Sequence, residues 1–409
     1  MSWLAPQQLP VRWLLILILG SLTAFVPLSI DMYLPAFPQI AEEFGTEIGQ
    51  VQLTLSIYMI GMALGQMLYG AMSDRWGRRR ILLWGMAVFI LATVGCAVSG
   101  SIGALMLWRF GVAMGGSAGM VMTRAIVRDS FDVKESANIF ALLMLVMGAA
   151  PLLAPFIGGQ LLLFTGWRGI FWLLATFATV CMVAVLKFMP ETLAPDQRAR
   201  HGIVGVLGVY GELFRDRVYI GYVLSIGCVS AMLFSYIAGS PTFYIEQYGV
   251  SAQSFGIFFG LNSGGIIMAS QANRWLLKRM SPRKALEAAY ALNTTMALVL
   301  ALQVWTGWGG FPASVAVLFV VVGSTGFLFP NIMALAMAPK GRVAGSASAL
   351  MGTVQFGLGG TAGTAVGLLY NGTAIPMAVV LATCSVIGCT MLWGLTRDAV
   401  NLVDGSARE

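Results

Sequence analysis

Hydrophobic positions along the chain gather into twelve long runs. They fall at approximately residues 13–33, 50–70, 81–99, 103–123, 138–163, 168–189, 218–240, 253–273, 285–305, 311–337, 343–369 and 375–396, with polar connections between them. About 20 apolar residues span a hydrocarbon layer as an α-helix, and a chain in lipid has to satisfy its backbone hydrogen bonds internally. The pattern predicts an all-α integral membrane protein with twelve transmembrane helices. One polar interval, residues 190–217, is longer than the others and divides the runs six and six. Residues 1–189 are therefore expected to form an N-terminal six-helix bundle and residues 190–217 a cytoplasmic linker. Residues 218–409 are expected to form a C-terminal six-helix bundle with a short tail.

The basic loop Ser73-Asp74-Arg75-Trp76-Gly77-Arg78-Arg79-Arg80 has a weaker counterpart in the second half, from Asn273 to Lys284. This repeat agrees with two pseudo-symmetric halves, an architecture that in many secondary transporters holds the substrate near the midplane.

Composition sharpens the class. Of 409 residues, 58% are hydrophobic and 10% charged, against ~25% charged in soluble domains, which excludes an ordinary soluble enzyme. The formal charge of +7 would suit nucleic acid only on a folded basic face, and no soluble domain is present to carry one. The charge is topological instead. With the N-terminus inside, all of the 24 lysines and arginines except Arg109 and Arg168 fall on the cytoplasmic side, and Glu42, Glu43, Glu47 and Glu246 lie outside. Both termini are thus expected in the cytoplasm. The first run is read as an uncleaved helix, because it is long and lacks a convincing small-residue cleavage site.

The five cysteines lie in apolar runs, and the single histidine is His201 in the linker. No metal, haem or other cofactor is expected from such a set, no catalytic cluster marks an enzyme, and no GxxxxGK[ST] loop marks an ATP-driven pump. Glycines are clustered: Gly61 and Gly65 in the second run, Gly111, Gly115 and Gly119 in the fourth, and six between Gly352 and Gly367 in the eleventh. Small residues let membrane helices approach closely. The fifth run combines Gly148, Pro151, Pro155, Gly158 and Gly159, a pattern expected to bend the helix and thin one face.

Ionisable residues inside a bilayer are functional candidates by default, and two occur here, Asp31 and Arg109. By helix rise, Asp31 lies roughly 28 Å, and Arg109 roughly 22 Å, from the inner face. Both belong to the outer half at comparable depth. A carboxyl there is a candidate proton carrier, and an arginine, which stays charged, is its candidate partner. The plainer alternative leaves Asp31 at the outer interface, with Arg109 reaching outward. Tyr33, Gln52, Tyr58, Asn262 and Gln355 are candidates to line a large, mainly apolar cavity suited to amphipathic molecules. Interhelical hydrogen bonding is the ordinary alternative for each.

Gly70, Asp74, Arg75, Gly77 and Arg78 form a GxxxDRxGR arrangement, and an acid at that helix end is expected to dock on the positive N-terminus of a neighbour, such as the helix beginning near Val343. This loop resembles the signature of the major facilitator superfamily. Leu105 to Gly119, with Arg109, resembles the fourth-helix motif of that family, and Gly148 through Gly159 its antiporter motif, with Ala154 where the pattern has glycine. Pro190-Glu191-Thr192-Leu193 resembles the common end of its sixth helix. More narrowly, the stretch from Pro27 to Ala36 and that from Ala344 to Gly360 are similar to the Bcr/CflA bacterial drug exporters. The resemblance implies the major facilitator fold and a proton-driven exporter of amphipathic drugs such as phenicols or bicyclomycin. It also implies Asp31 as protonation site with Arg109 as partner, protons as coupling ion, the inner membrane as location, and a monomer. Proton-coupled uptake or export of a small metabolite by the same fold is the alternative.

Overall fold

The computed structural model describes residues 12–193 and 211–396; inside that range the side chains of a few helical residues, among them 341–345, lie outside the described set. The expected twelve runs are all present as long helices among the described residues. In the first half they are α1 (Arg12–Asp31), α3 (Ile48–Trp76), α4 (Arg78–Ala97), α5 (Ile102–Ser130), α6 (Val133–Leu161) and α7 (Gly166–Phe188), with a short α2 (Phe37–Phe44) after α1. In the second they are α8 (Arg217–Pro241), α9 (Ala252–Leu276), α10 (Pro282–Thr306), α11 (Gly310–Met337), α12 (Ala344–Leu368) and α13 (Ile375–Leu395). Among the described residues, ten spans have the length and composition to cross a membrane. α9 and α12 fall short on composition, α9 through residues such as Gln253, Asn262 and Asn273 and α12 through its glycines.

The helices form two compact units. One comprises α1 to α7 together with Ser251–Ile257 at the start of α9, and the other comprises α8 and the remainder. Of the expected linker, residues 194–210 lie outside the described ones. Within each unit the pairings repeat: the first long helix packs on the fifth and sixth, and the third on the fourth and sixth.

Glycine sets the closest of these approaches. A methyl group at Gly61 would meet Ala113 and the Phe110 carbonyl, and one at Gly65 would meet Ser117, so α3 lies directly on α5. Gly85 and Gly115 likewise bring α4 onto α5. The clustered glycines of the second and fourth runs are therefore packing faces, as expected where apolar surface gives no preference for protein over lipid, whereas Gly357 in the eleventh has open surroundings.

The first helix departs from expectation. The run expected to end at residue 33 stops at Asp31, passes through a turn and a 3-10 segment, Leu34–Ala36, and resumes as α2. Pro35 supplies the reason, because it has no N–H to offer the Asp31 carbonyl and cannot extend the helix past it. The corresponding helix of the second unit also changes form near its C-terminal end. α8 stops at Pro241 and continues as a π-helix, Thr242–Gln247.

Candidate functional site

Asp31 sits at this interruption. Its side chain is buried, at 3% exposed. A residue ending a half-helix lies at the negative end of the helix dipole and among carbonyls without helical partners.

Arg109 of α5 answers that end of α1. It is 0% exposed, and its Nη1 donates to the Ser29 carbonyl at 2.8 Å. The guanidinium lies 4.4 Å from the ring centres of both Tyr33 and Tyr58 and 6.0 Å from that of Phe171. The Tyr33 hydroxyl is hydrogen-bonded to that of Thr54, which fixes the ring. A cation between aromatic faces is stabilised by their quadrupoles, by roughly 2 kcal/mol or more when water is excluded.

The expected direct pairing differs from what is seen. Among the described residues no ion pair joins Arg109 to Asp31, whose Oδ1 has no hydrogen-bond partner. The guanidinium is engaged instead by two ring faces and a backbone carbonyl. Its Nε and Nη2 are also unpartnered, as are the Ser29 and Tyr58 hydroxyls. One buried cluster thus holds an acid with no countercharge bonded to it, together with spare donors on a permanent cation. The acid can take or release a proton here without breaking an existing ion pair.

Sequence reasoning missed the part played by Ser29, since a backbone carbonyl has no side-chain signature. Pro35 was the available signal, marking where helical acceptors would be released.

The other candidates separate. Tyr33 and Tyr58 belong to the platform around Arg109, and both are 0% exposed. Gln52 is buried on α3 of the same unit. Asn262 and Gln355 belong to the second unit. Asn262 is buried and donates to the hydroxyls of Tyr236 and Tyr244, whereas Gln355 is half-buried on α12.

In α6, Pro151 and Pro155 are carried within one uninterrupted helix. Gly148 and Pro151 are half-buried, and Pro155, Gly158 and Gly159 are buried. A side chain at Gly158 would collide with the Met32 carbonyl, in the turn beside Asp31, and one at Gly159 with the Ala252 carbonyl of the same unit. The glycine-thinned face of α6 therefore abuts the break in the first helix.

The signature loop is a clamp. Gly77 has φ 96°, a conformation natural to glycine, and its N–H donates to the Ser73 carbonyl at 3.0 Å. The turn sends Arg78 back against Asp74, Ser73 Oγ at 2.6 Å and Asp129 at 3.0 Å. The Arg78 N–H donates to Glu191 at 2.8 Å, and Glu191 also accepts from the N–H groups of Thr192 and Leu193. Gly70 is in open surroundings, with its carbonyl accepting from Ser73, and Arg75 is exposed. The expected docking of Asp74 on the helix near Val343 falls on side chains outside the described residues. Inside its own unit Asp74 is held by Arg78.

Comparisons with known proteins agree with this architecture. The family model described as Major Facilitator Superfamily matches residues 19–364. An uncharacterized MFS-type transporter of Bacillus subtilis, YdgK, is 35% identical, over 95% of this chain and 97% of its own. A bicyclomycin resistance protein homolog of Haemophilus influenzae is 30% identical, over 95% and 98%. A chloramphenicol resistance protein of Pseudomonas aeruginosa is 28% identical, over 96% and 91%. Among solved structures, a peptide transporter crystallised with sulfate has a TM-score of 0.75 at 16% identity, covering 98% of this chain and 99% of that one.

The fold and these matches define a multi-pass membrane transporter of the all-α class. The chain belongs to the Major Facilitator Superfamily.

Proposed function

We propose that the protein exports amphipathic drugs of the phenicol or bicyclomycin kind across the bacterial inner membrane in exchange for protons, as a monomer with both termini cytoplasmic. The observation that carries this reading is the unpaired, buried Asp31 at the break in α1, with Arg109 capping the same helix end. The names of the Haemophilus and Pseudomonas relatives support the substrate class.

In the proposed cycle, protonated Asp31 is neutral and leaves Arg109 on the Ser29 carbonyl. Loss of the proton creates a carboxylate that competes for the free Nε and Nη2 donors, since charge-assisted bonds are about twice as strong as neutral ones. Each protonation state then favours its own arrangement of the first helix, and a substrate that binds one arrangement better shifts the balance. Gly158 gives that segment its neighbour in α6, and the Arg78 clamp holds the inner ends of α3, α4 and α5. With an inward proton gradient, net substrate flow is outward.

Inverted membrane vesicles test the proposal. Accumulation of a phenicol driven by an imposed pH gradient, and abolished by an uncoupler, is expected. Equilibrating flux insensitive to the uncoupler would make the protein a facilitator and remove the proton from the account.

A further inference from the structure

The second unit contains a buried polar cluster that proton coupling leaves unused. Asn262 on α9 is 1% exposed, and its Nδ2 donates to the hydroxyl oxygens of Tyr236 and Tyr244, each at 2.9 Å. Its Oδ1 is buried without a hydrogen-bond partner. Tyr236 stacks on Phe259 with ring centres 5.4 Å apart, and Tyr244 on Phe258 at the same separation. Phe311 closes the group, meeting Phe258 edge-on.

A second asparagine of the same unit shows what a purely structural amide looks like. Asn293 donates from Nδ2 to the Val321 carbonyl and Ser324 Oγ, and its Oδ1 accepts from Ser385 at 2.5 Å. Both ends of that carboxamide are satisfied. At Asn262 only one is, and a buried acceptor without a donor costs about 1–3 kcal/mol. The amide is also met by a π-helix, since Tyr244 belongs to Thr242–Gln247, and π-turns are frequent at functional sites.

We propose that Asn262 is a substrate subsite whose Oδ1 accepts a hydrogen bond from an O–H or N–H of an uncharged aromatic substrate lying along the paired rings. This inference rests on the exporter reading and adds a specificity rule to it. Substrates bearing a donor are favoured, while lipophilic cations that lack one, such as tetraphenylphosphonium, gain nothing from Asn262.

The test is equilibrium binding to the purified full-length protein of three probes: a phenicol, its analogue methylated at every O–H and N–H, and tetraphenylphosphonium. Asn262→Leu is expected to weaken the phenicol about tenfold, equivalent to 1.4 kcal/mol, and to leave the other two unchanged. Asn262→Ala, with the same readout, serves if the leucine variant does not fold. Unchanged phenicol affinity, or equal loss of all three probes, would overturn the subsite and leave Asn262 as scaffold. Failure of the unmodified protein to bind any of them would overturn the exporter reading itself.

Discussion

Arg109 donates to the carbonyl oxygen of Ser29 at 2.8 Å, two residues before Asp31 in the same broken helix. The cation therefore answers the dipole and freed acceptors of α1, and Asp31 is left without a bonded countercharge. Charge and backbone are coupled at one point, because whatever draws Arg109 toward the carboxylate draws it from the helix end.

The arginine should consequently resist conservative replacement. Arg109→Lys keeps the charge but loses the planar fork and much of the stacking between Tyr33 and Tyr58, on the order of 1–2 kcal/mol. Drug-resistance assays and vesicle transport are expected to show loss of about tenfold or more, close to that of Arg109→Ala. Full activity in the lysine variant would mean that charge alone is required.

Gly158 should tolerate no side chain, because even a methyl group would overlap the Met32 carbonyl. Overpacking of this kind costs about 1–3 kcal/mol. Gly158→Ala is expected to lower thermal stability in detergent and impair transport, while Gly70→Ala, where the surroundings are open, is expected to do neither.

The clamp should be asymmetric in energy. Arg78 is 5% exposed and pairs with Asp74 and Asp129, whereas Asp74 is 51% exposed. Breaking a buried pair costs about 3–5 kcal/mol, and losing an exposed one ~1 kcal/mol or less. Arg78→Ala is therefore expected to destabilise the protein severely and Asp74→Asn mildly, with melting temperature as the measurement. Equal effects would show that Arg78 owes little to Asp129.

A second clamp supplies a pH test outside the membrane. Asp216 accepts from Lys340 at 2.5 Å and from the Tyr219 N–H at 3.0 Å. Burial works to raise the pKa of this carboxyl, but the Lys340 hydrogen bond and charge and the backbone N–H outweigh it and hold the value below normal. A group lowered on folding adds stability above its unfolded pKa of about 3.9 and loses it as pH falls through the folded value. Acidification from about pH 5 is thus expected to lower the melting temperature of the native protein more than that of Asp216→Asn. Parallel curves would count against the pairing.

Much of this was legible in the sequence, and the remainder has physical reasons for being hidden. Hydropathy alone located the twelve long helices, because each must bury its own backbone in lipid. It also singled out Asp31 and Arg109, since ionisable groups are rare there. The break after Asp31 was hidden because the apolar run continues through it, although Pro35 marked the site. The π-turn at Thr242–Gln247 left no compositional trace. Tyr33 and Tyr58 read as cavity residues by type, and only the turn after Asp31, which places Tyr33, and the register of α5 against α3 at Gly61 and Gly65, which places Tyr58, identify them as the faces that hold Arg109. The partners of Arg78 at Asp129 and Glu191 are distant in sequence and could not be paired from spacing.

The central claim is that Asp31 carries the exchanged proton. It is tested most directly by adding a phenicol to detergent-solubilised protein in weakly buffered solution and following the pH. Native protein is expected to release protons on binding, and Asp31→Asn to bind the drug without release. Equal proton release by both would contradict the account and place the coupling site elsewhere.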